Sequence, residues 1–108
     1  MDVNIPFIDK IITLIVSLVS PEQIILFGSC ARGTHTQKSD IDLLIVKKNL
    51  ENERELNNML YRAFFENKIN IPIDLISVDS KKYYELNSEL GYVYKTIKEQ
   101  GKVLYGTL

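Results

Sequence analysis

Four short apolar runs and three stripes at helical spacing divide the chain into alternating elements. Ile8, Ile11, Ile12, Ile15 and Leu18 or Val19 recur on one helical face, and Ser20-Pro21 ends that helix because proline disfavours the helical conformation of the residue before it. The uninterrupted Ile24-Ile25-Leu26-Phe27 reads as a buried strand, and its exit through Gly28-Ser29 into Cys30-Ala31-Arg32-Gly33 predicts a tight turn opening a short helix. Asp40-Ile41-Asp42-Leu43-Leu44-Ile45-Val46 reads as a second strand. Leu56, Met59, Leu60, Ala63 and Phe64 predict an amphipathic helix over 50–67, with Glu51 and Glu53 near its positive N-terminal end. A third strand, in the segment Asn70 to Val78, is interrupted by Asp74 and has the apolar character of a strand inside a sheet. Leu86, Leu90, Val93 or Tyr94, and Ile97 form a last helical stripe, broken around 87–91, before Gly101 stops it and Lys102–Tyr105 makes a short strand. The predicted class is α/β (α+β): a mixed sheet of about four strands covered by helices.

Composition narrows this picture. The 108 residues, without internal repeat or linker, predict one domain over 1–108, and 45% hydrophobic with 25% charged residues is ordinary for a globular protein. A formal net charge of −1 argues against a broad nucleic-acid footprint, and the pairs Lys47-Lys48 and Lys81-Lys82 read as solvated surface. A single cysteine excludes an intramolecular disulfide and a cysteine-rich zinc site, which fits a reducing, cytoplasmic setting. The apolar run 11–19 has the length of a signal-peptide core, but Asp2 and Asp9 spoil a basic leader, no Ala-x-Ala signal follows, and the run falls short of the ~20 residues that span a bilayer. No targeting or membrane segment is expected.

The candidate chemistry lies between the first two strands. At Gly28-Ser29 a glycine permits close backbone approach, a serine offers a hydroxyl donor, and a following helix N-terminus favours phosphate. Side chains alternate along a strand, so Asp40 and Asp42 project to one side while Leu43 and Ile45 take the other. Two carboxylates that close repel unless a cation neutralises them, and hard oxygen donors suit Mg²⁺ or Mn²⁺. Asp74 offers a third acid. An isolated Asp-x-Asp pair would read as a solvated strand entrance; the surrounding motif reverses that reading. Arg32 can reach a triphosphate or equally serve a salt bridge, Ser39 reads as a turn residue, and His35 and Cys30 as ordinary neighbours. Tyr83, Tyr84, Tyr92 and Tyr94 read as packing or interface residues, which leaves room for a homo-oligomer. No Gly-Lys-Ser/Thr follows the turn, so a Walker site is a poor reading.

Leu26-Phe27-Gly28-Ser29-x-Ala31-Arg32-Gly33, then Ser39-Asp40-Ile41-Asp42-Leu43, the later Asp74 strand and the ending Lys95-x-Ile97-x-x-x-Gly101-x-Val103-Leu104-Tyr105 together resemble the minimal nucleotidyltransferases of the DNA polymerase β superfamily. The resemblance covers nearly the whole chain. It implies a polymerase β-like fold and two-metal transfer of a nucleoside monophosphate from an NTP to a hydroxyl, with Asp40 and Asp42 as the metal-binding pair, Asp74 as the third acid, and Gly28 and Ser29 as the triphosphate turn.

Larger members carry acceptor-binding domains for which 108 residues leave no room, so the acceptor is expected on a partner. The chain is most similar to the small proteins paired with helical HEPN ribonuclease toxins, antitoxins that in some cases adenylylate the toxin. That resemblance implies ATP as substrate, Mg²⁺ as cofactor and a HEPN toxin as acceptor. Two alternatives stand beside it: a non-catalytic, nucleotide-binding antitoxin acting by complex formation, and a small-molecule (antibiotic) nucleotidyltransferase.

Overall fold

The computed structural model describes residues 5, 7–28, 40–86, 97 and 99–106. Strands β1 (Gln23–Phe27), β2 (Ile41–Lys47), β3 (Ile73–Asp79) and β4 (Lys102–Tyr105) form one sheet in the order β3-β2-β1-β4. β1 runs antiparallel to both β2 and β4, whereas β2 and β3 are parallel. A parallel pair needs a long crossover, and helix α2 (Glu53–Glu66) supplies it. β3 is therefore a border strand of the described sheet, not the interior strand its apolar sequence suggests. Its apolar residues answer instead to cover on both faces, Ile73 and Leu75 beneath α2 and Val78 beside Tyr83 of helix α3 (Ser80–Leu86).

Alternation along the strands sorts the apolar residues into two clusters. Ile24, Leu26, Ile41, Leu43 and Ile45 face α2 and the first helix, α1 (Ile8–Val19). Ile25, Leu44 and Val46 take the opposite face with Tyr83 and Ile97. In α1 the buried residues are Ile11, Ile15 and Val19, while Leu18 is exposed, which decides the open choice between the last two. The helix stops where expected: Ser20 is left-handed, with its N–H donating to the Val16 carbonyl at 3.1 Å.

α2 starts later than its apolar stripe suggested. Asn52 caps it, its side-chain oxygen accepting from the Glu55 N–H at 3.0 Å, so Glu51 lies outside the helix and Glu53 and Glu55 occupy the favourable first turn. Leu56, Leu60, Ala63 and Phe64 are buried as expected, but Met59 is exposed because the packed face is turned toward Asn57, which bonds to β3. At the C-terminal end Gly101 donates to the Ile97 carbonyl at 2.7 Å and β4 follows directly. The expected short helix after Gly28 and the 87–96 part of the last stripe lie outside the described residues. No helix among the described residues is long and apolar enough to cross a membrane.

One carboxylate ties the far end of the sheet together. Asp79 closes β3, accepting from the Leu50 N–H at 3.0 Å and the Lys81 N–H at 3.1 Å, so a single side chain fastens the loop before α2 to the start of α3. The backbone donor at Leu50, helped by those of Lys81, Lys82 and Asn49, holds its carboxyl below the ordinary 3.8 against an opposing desolvation. A folded-state pKa below the unfolded one contributes stability that is present above the unfolded value and lost as pH falls through the folded value. Asp79→Ala is therefore expected to lower the melting temperature at neutral pH, with the gap to wild type closing as pH falls through and below the ordinary carboxylate range. Thermal melts across that range check this; a pH-independent gap would assign the loss to something other than charge.

Candidate active site

At the sheet end where β1 leaves and β2 and β3 enter, three residues form one transverse row. Phe27 pairs with Asp42 across the antiparallel ladder, and Asp42 pairs with Asp74 across the parallel one. Because Ile41 and Leu43, and likewise Ile73 and Leu75, point into the cluster beneath the two long helices, Asp42 and Asp74 must point to the other face. Neighbouring strands lie about 4.8 Å apart, so the two carboxylates rise side by side. The Ile41 N–H donates to the Pro72 carbonyl at 2.9 Å, which locks the two strand entrances together just before the acids.

Gly28 follows Phe27 with a φ of 73°, in the left-handed region that favours glycine. A Cβ there would collide with a carboxylate oxygen of Asp42 and stand 3.2 Å from its Cγ. The missing side chain is thus what lets the turn lie against the Asp42 carboxylate. Asp42 is half-buried and Asp74 exposed.

The predicted residues meet in part. Gly28, Asp42 and Asp74 come together. Asp40 is exposed and immediately precedes β2, which begins at Ile41, so it stands at the strand's entrance and not within the ladder. Ser29 and Arg32, with Cys30, His35 and Ser39, lie outside the described residues. Among the described residues no three acidic, histidine or cysteine side chains cluster closely enough to hold a metal ion. The donor chemistry of the Asp42 and Asp74 pair nevertheless fits a hard divalent cation: adjacent carboxylates on one face, one of them against a bare glycine. A hollow of about 470 Å³ along α2, lined by Glu53, Arg54, Asn57, Asn58 and Tyr61, contains none of the acids of the row, so chemistry rather than volume marks the site. Two contributors escaped the sequence reading. Phe27 stands in the acid row, and Tyr61 bonds to the residue after Asp74; neither follows from a periodic pattern.

The sequence profile of the nucleotidyltransferase domain matches residues 8–104, which takes in the row and every described element except the last residue of β4. The chain belongs to the nucleotidyltransferase domain family. Its mixed four-strand sheet with helices is the polymerase β-like fold of these enzymes. A toxin–antitoxin crystal structure with AMP-PNP is 27% identical, with a TM-score of 0.61 over 93% of this chain and 74% of that one. A provisionally named nucleotidyltransferase of Sulfolobus solfataricus, 24% identical, shares the fold with a TM-score of 0.62 over 90% of this chain and 75% of its own. A curated relative from Methanocaldococcus jannaschii, provisionally named a protein adenylyltransferase, is 61% identical over 31 residues, a stretch that spans 29% of this chain and 21% of that protein.

The Gly28 turn yields a stability prediction. Gly28→Val is expected to cost roughly 1–3 kcal/mol, since a β-branched residue is forced into the left-handed region and against Asp42. Urea unfolding measures this, and a loss below about 0.5 kcal/mol would mean that the turn relaxes freely.

Proposed function

We propose that the chain transfers AMP from ATP to a hydroxyl of a partner protein, with Asp40, Asp42 and Asp74 holding the Mg²⁺ or Mn²⁺ ions this chemistry uses. The observation that carries the reading is the in-register Asp42 and Asp74 pair on the sheet face turned away from α1 and α2, with Gly28 against the Asp42 carboxylate. A triphosphate can approach the backbone at Gly28 because glycine itself carries no side chain, and Ser29 and Arg32 add a hydroxyl and a cation in the residues that follow. When bound, divalent ions neutralise triphosphate and carboxylates and lower the pKa of the acceptor hydroxyl. Asp74 takes the proton that the hydroxyl loses; the hydroxyl oxygen bonds to the α-phosphorus, and the bond from that phosphorus to the bridging oxygen breaks to release pyrophosphate. The exposure of Asp74 on a border strand suits a base that must meet an acceptor on another molecule.

The partner is drawn from the neighbours. A toxin–antitoxin relative crystallised with AMP-PNP and a relative provisionally named a protein adenylyltransferase both favour a protein acceptor. We take that acceptor to be a helical HEPN-type toxin, which makes this chain an antitoxin, acting as one domain in the cytoplasm, where ATP and a single unpaired thiol are at home.

Incubation with a co-encoded helical protein, Mg²⁺ and ATP labelled at the α- or the γ-phosphate tests this. Transfer of α label is expected, and Asp42→Asn should abolish it while leaving the fold intact, because it removes one of two adjacent like charges. Transfer of γ label would indicate a kinase instead, and a tight, unlabelled complex formed equally by wild type and Asp42→Asn would indicate an antitoxin that only binds. A second expectation follows from linkage: ATP with Mg²⁺ should raise the melting temperature, whereas ATP with EDTA should not. Equal shifts in both would remove the metal from nucleotide binding.

A further inference from the structure

We propose that Tyr61 is a positioning residue for Asp74, a role that rests on the reading of Asp74 given above. As a border strand, β3 has a ladder partner on one side only among the described residues, β2. Backbone groups that face outward from such a strand have no sheet to hold them. At Leu75, the residue after Asp74, helix α2 takes both outward groups: the N–H donates to the Tyr61 hydroxyl oxygen at 2.9 Å, and the carbonyl accepts from Asn57 Nδ2 at 3.4 Å. Asn57 is itself anchored, its side-chain oxygen accepting from the hydroxyl of the fully buried Ser77.

Two side chains of α2 thus stand where a further strand would be. The consequence falls on Asp74. Its carboxylate is exposed and takes no part in either apolar cluster, so packing does not fix it; its direction is set by the backbone it rides on. With the Leu75 N–H bonded, the pleat at Asp74 is held square to Asp42 across the ladder. With that N–H released to water, the border loosens from its outer side and Asp74 loses its fixed direction. Tyr61 is 39% exposed and belongs to neither apolar cluster, so Tyr61→Phe removes the bond without opening the core.

The test compares wild type with Tyr61→Phe by NMR. The expected result is roughly tenfold faster hydrogen exchange at the Leu75 amide with the Leu44 amide of β2 unchanged. In the presence of ATP, the Mg²⁺-dependent change in the ¹³C shift of the Asp74 side-chain carboxyl should fall roughly three- to tenfold, while that of Asp42 stays put. A merely structural tyrosine would not separate the two acids in this way. Unchanged Leu75 exchange, or faster exchange with the same carboxyl response at Asp74, overturns the role of Tyr61 and leaves the metal reading standing. Failure of Mg²⁺ with ATP to shift either carboxyl in the wild type overturns the metal reading and the role of Tyr61 with it, whatever Leu75 does.

Discussion

Seven residues of β2 pair one for one with seven of β3, from Ile41 against Ile73 to Lys47 against Asp79, and a slip of one position would turn Asp74 into the core and expel Ile73 and Leu75. Magnitudes decide which register wins. Burying a large aliphatic side chain contributes about 1.5–3 kcal/mol, and β3 places two of them beneath the helices in the observed register. The opposing term is repulsion between Asp42 and Asp74, from about 1 kcal/mol in water to about 4 kcal/mol at the effective dielectric of a protein surface for charges near 4 Å, and a slip would add the cost of burying the Asp74 charge. Hydrophobic alternation therefore brings like charges together and holds them there, which a sheet of independent strands would avoid. The acid row is a by-product of where the aliphatic residues must go.

The two ends of that ladder do different work. At the entrance, the Ile41 bond to Pro72 fastens the two strands and the Gly28 turn lies against the Asp42 carboxylate. At the exit, Asp79 gathers backbone donors from the loop before α2 and from α3, closing the end remote from the chemistry. The ion pair of Lys48 with Glu22, 3.4 Å apart, lies on this exit side too, but with Lys48 77% exposed it contributes at most about 1 kcal/mol and organises little.

Local patterning exposes most of the scaffold. The stop of α1 at Ser20, the unbroken run of β1, the alternation of β2 and the bounds of β4 all follow from short-range rules of spacing and backbone preference. That Gly28 and Asp42 lie close together was legible as well, because a motif compresses the two strand ends into neighbouring residues. Three features were not. The border position of β3 is a matter of strand order, which no local run of residues encodes. Met59 matches the helical stripe of α2, yet the polar bonds of Asn57 to β3 turn that face away from it. The bond from Leu75 to Tyr61 joins residues 14 apart on different elements, and only the crossover geometry brings them into contact.

The hydrogen bonds at Leu75 also bear on how this sheet can meet another chain. A border strand whose outward N–H and C=O are already occupied is a poor template for strand addition, so the β3 side is closed to that mode of association at this residue. The opposite border is β4, four residues long and separated from β2 by β1. A strand laid along β4 would lengthen the sheet away from Asp42 and Asp74, so growth of the sheet and the acid row are assigned to opposite borders of the described sheet.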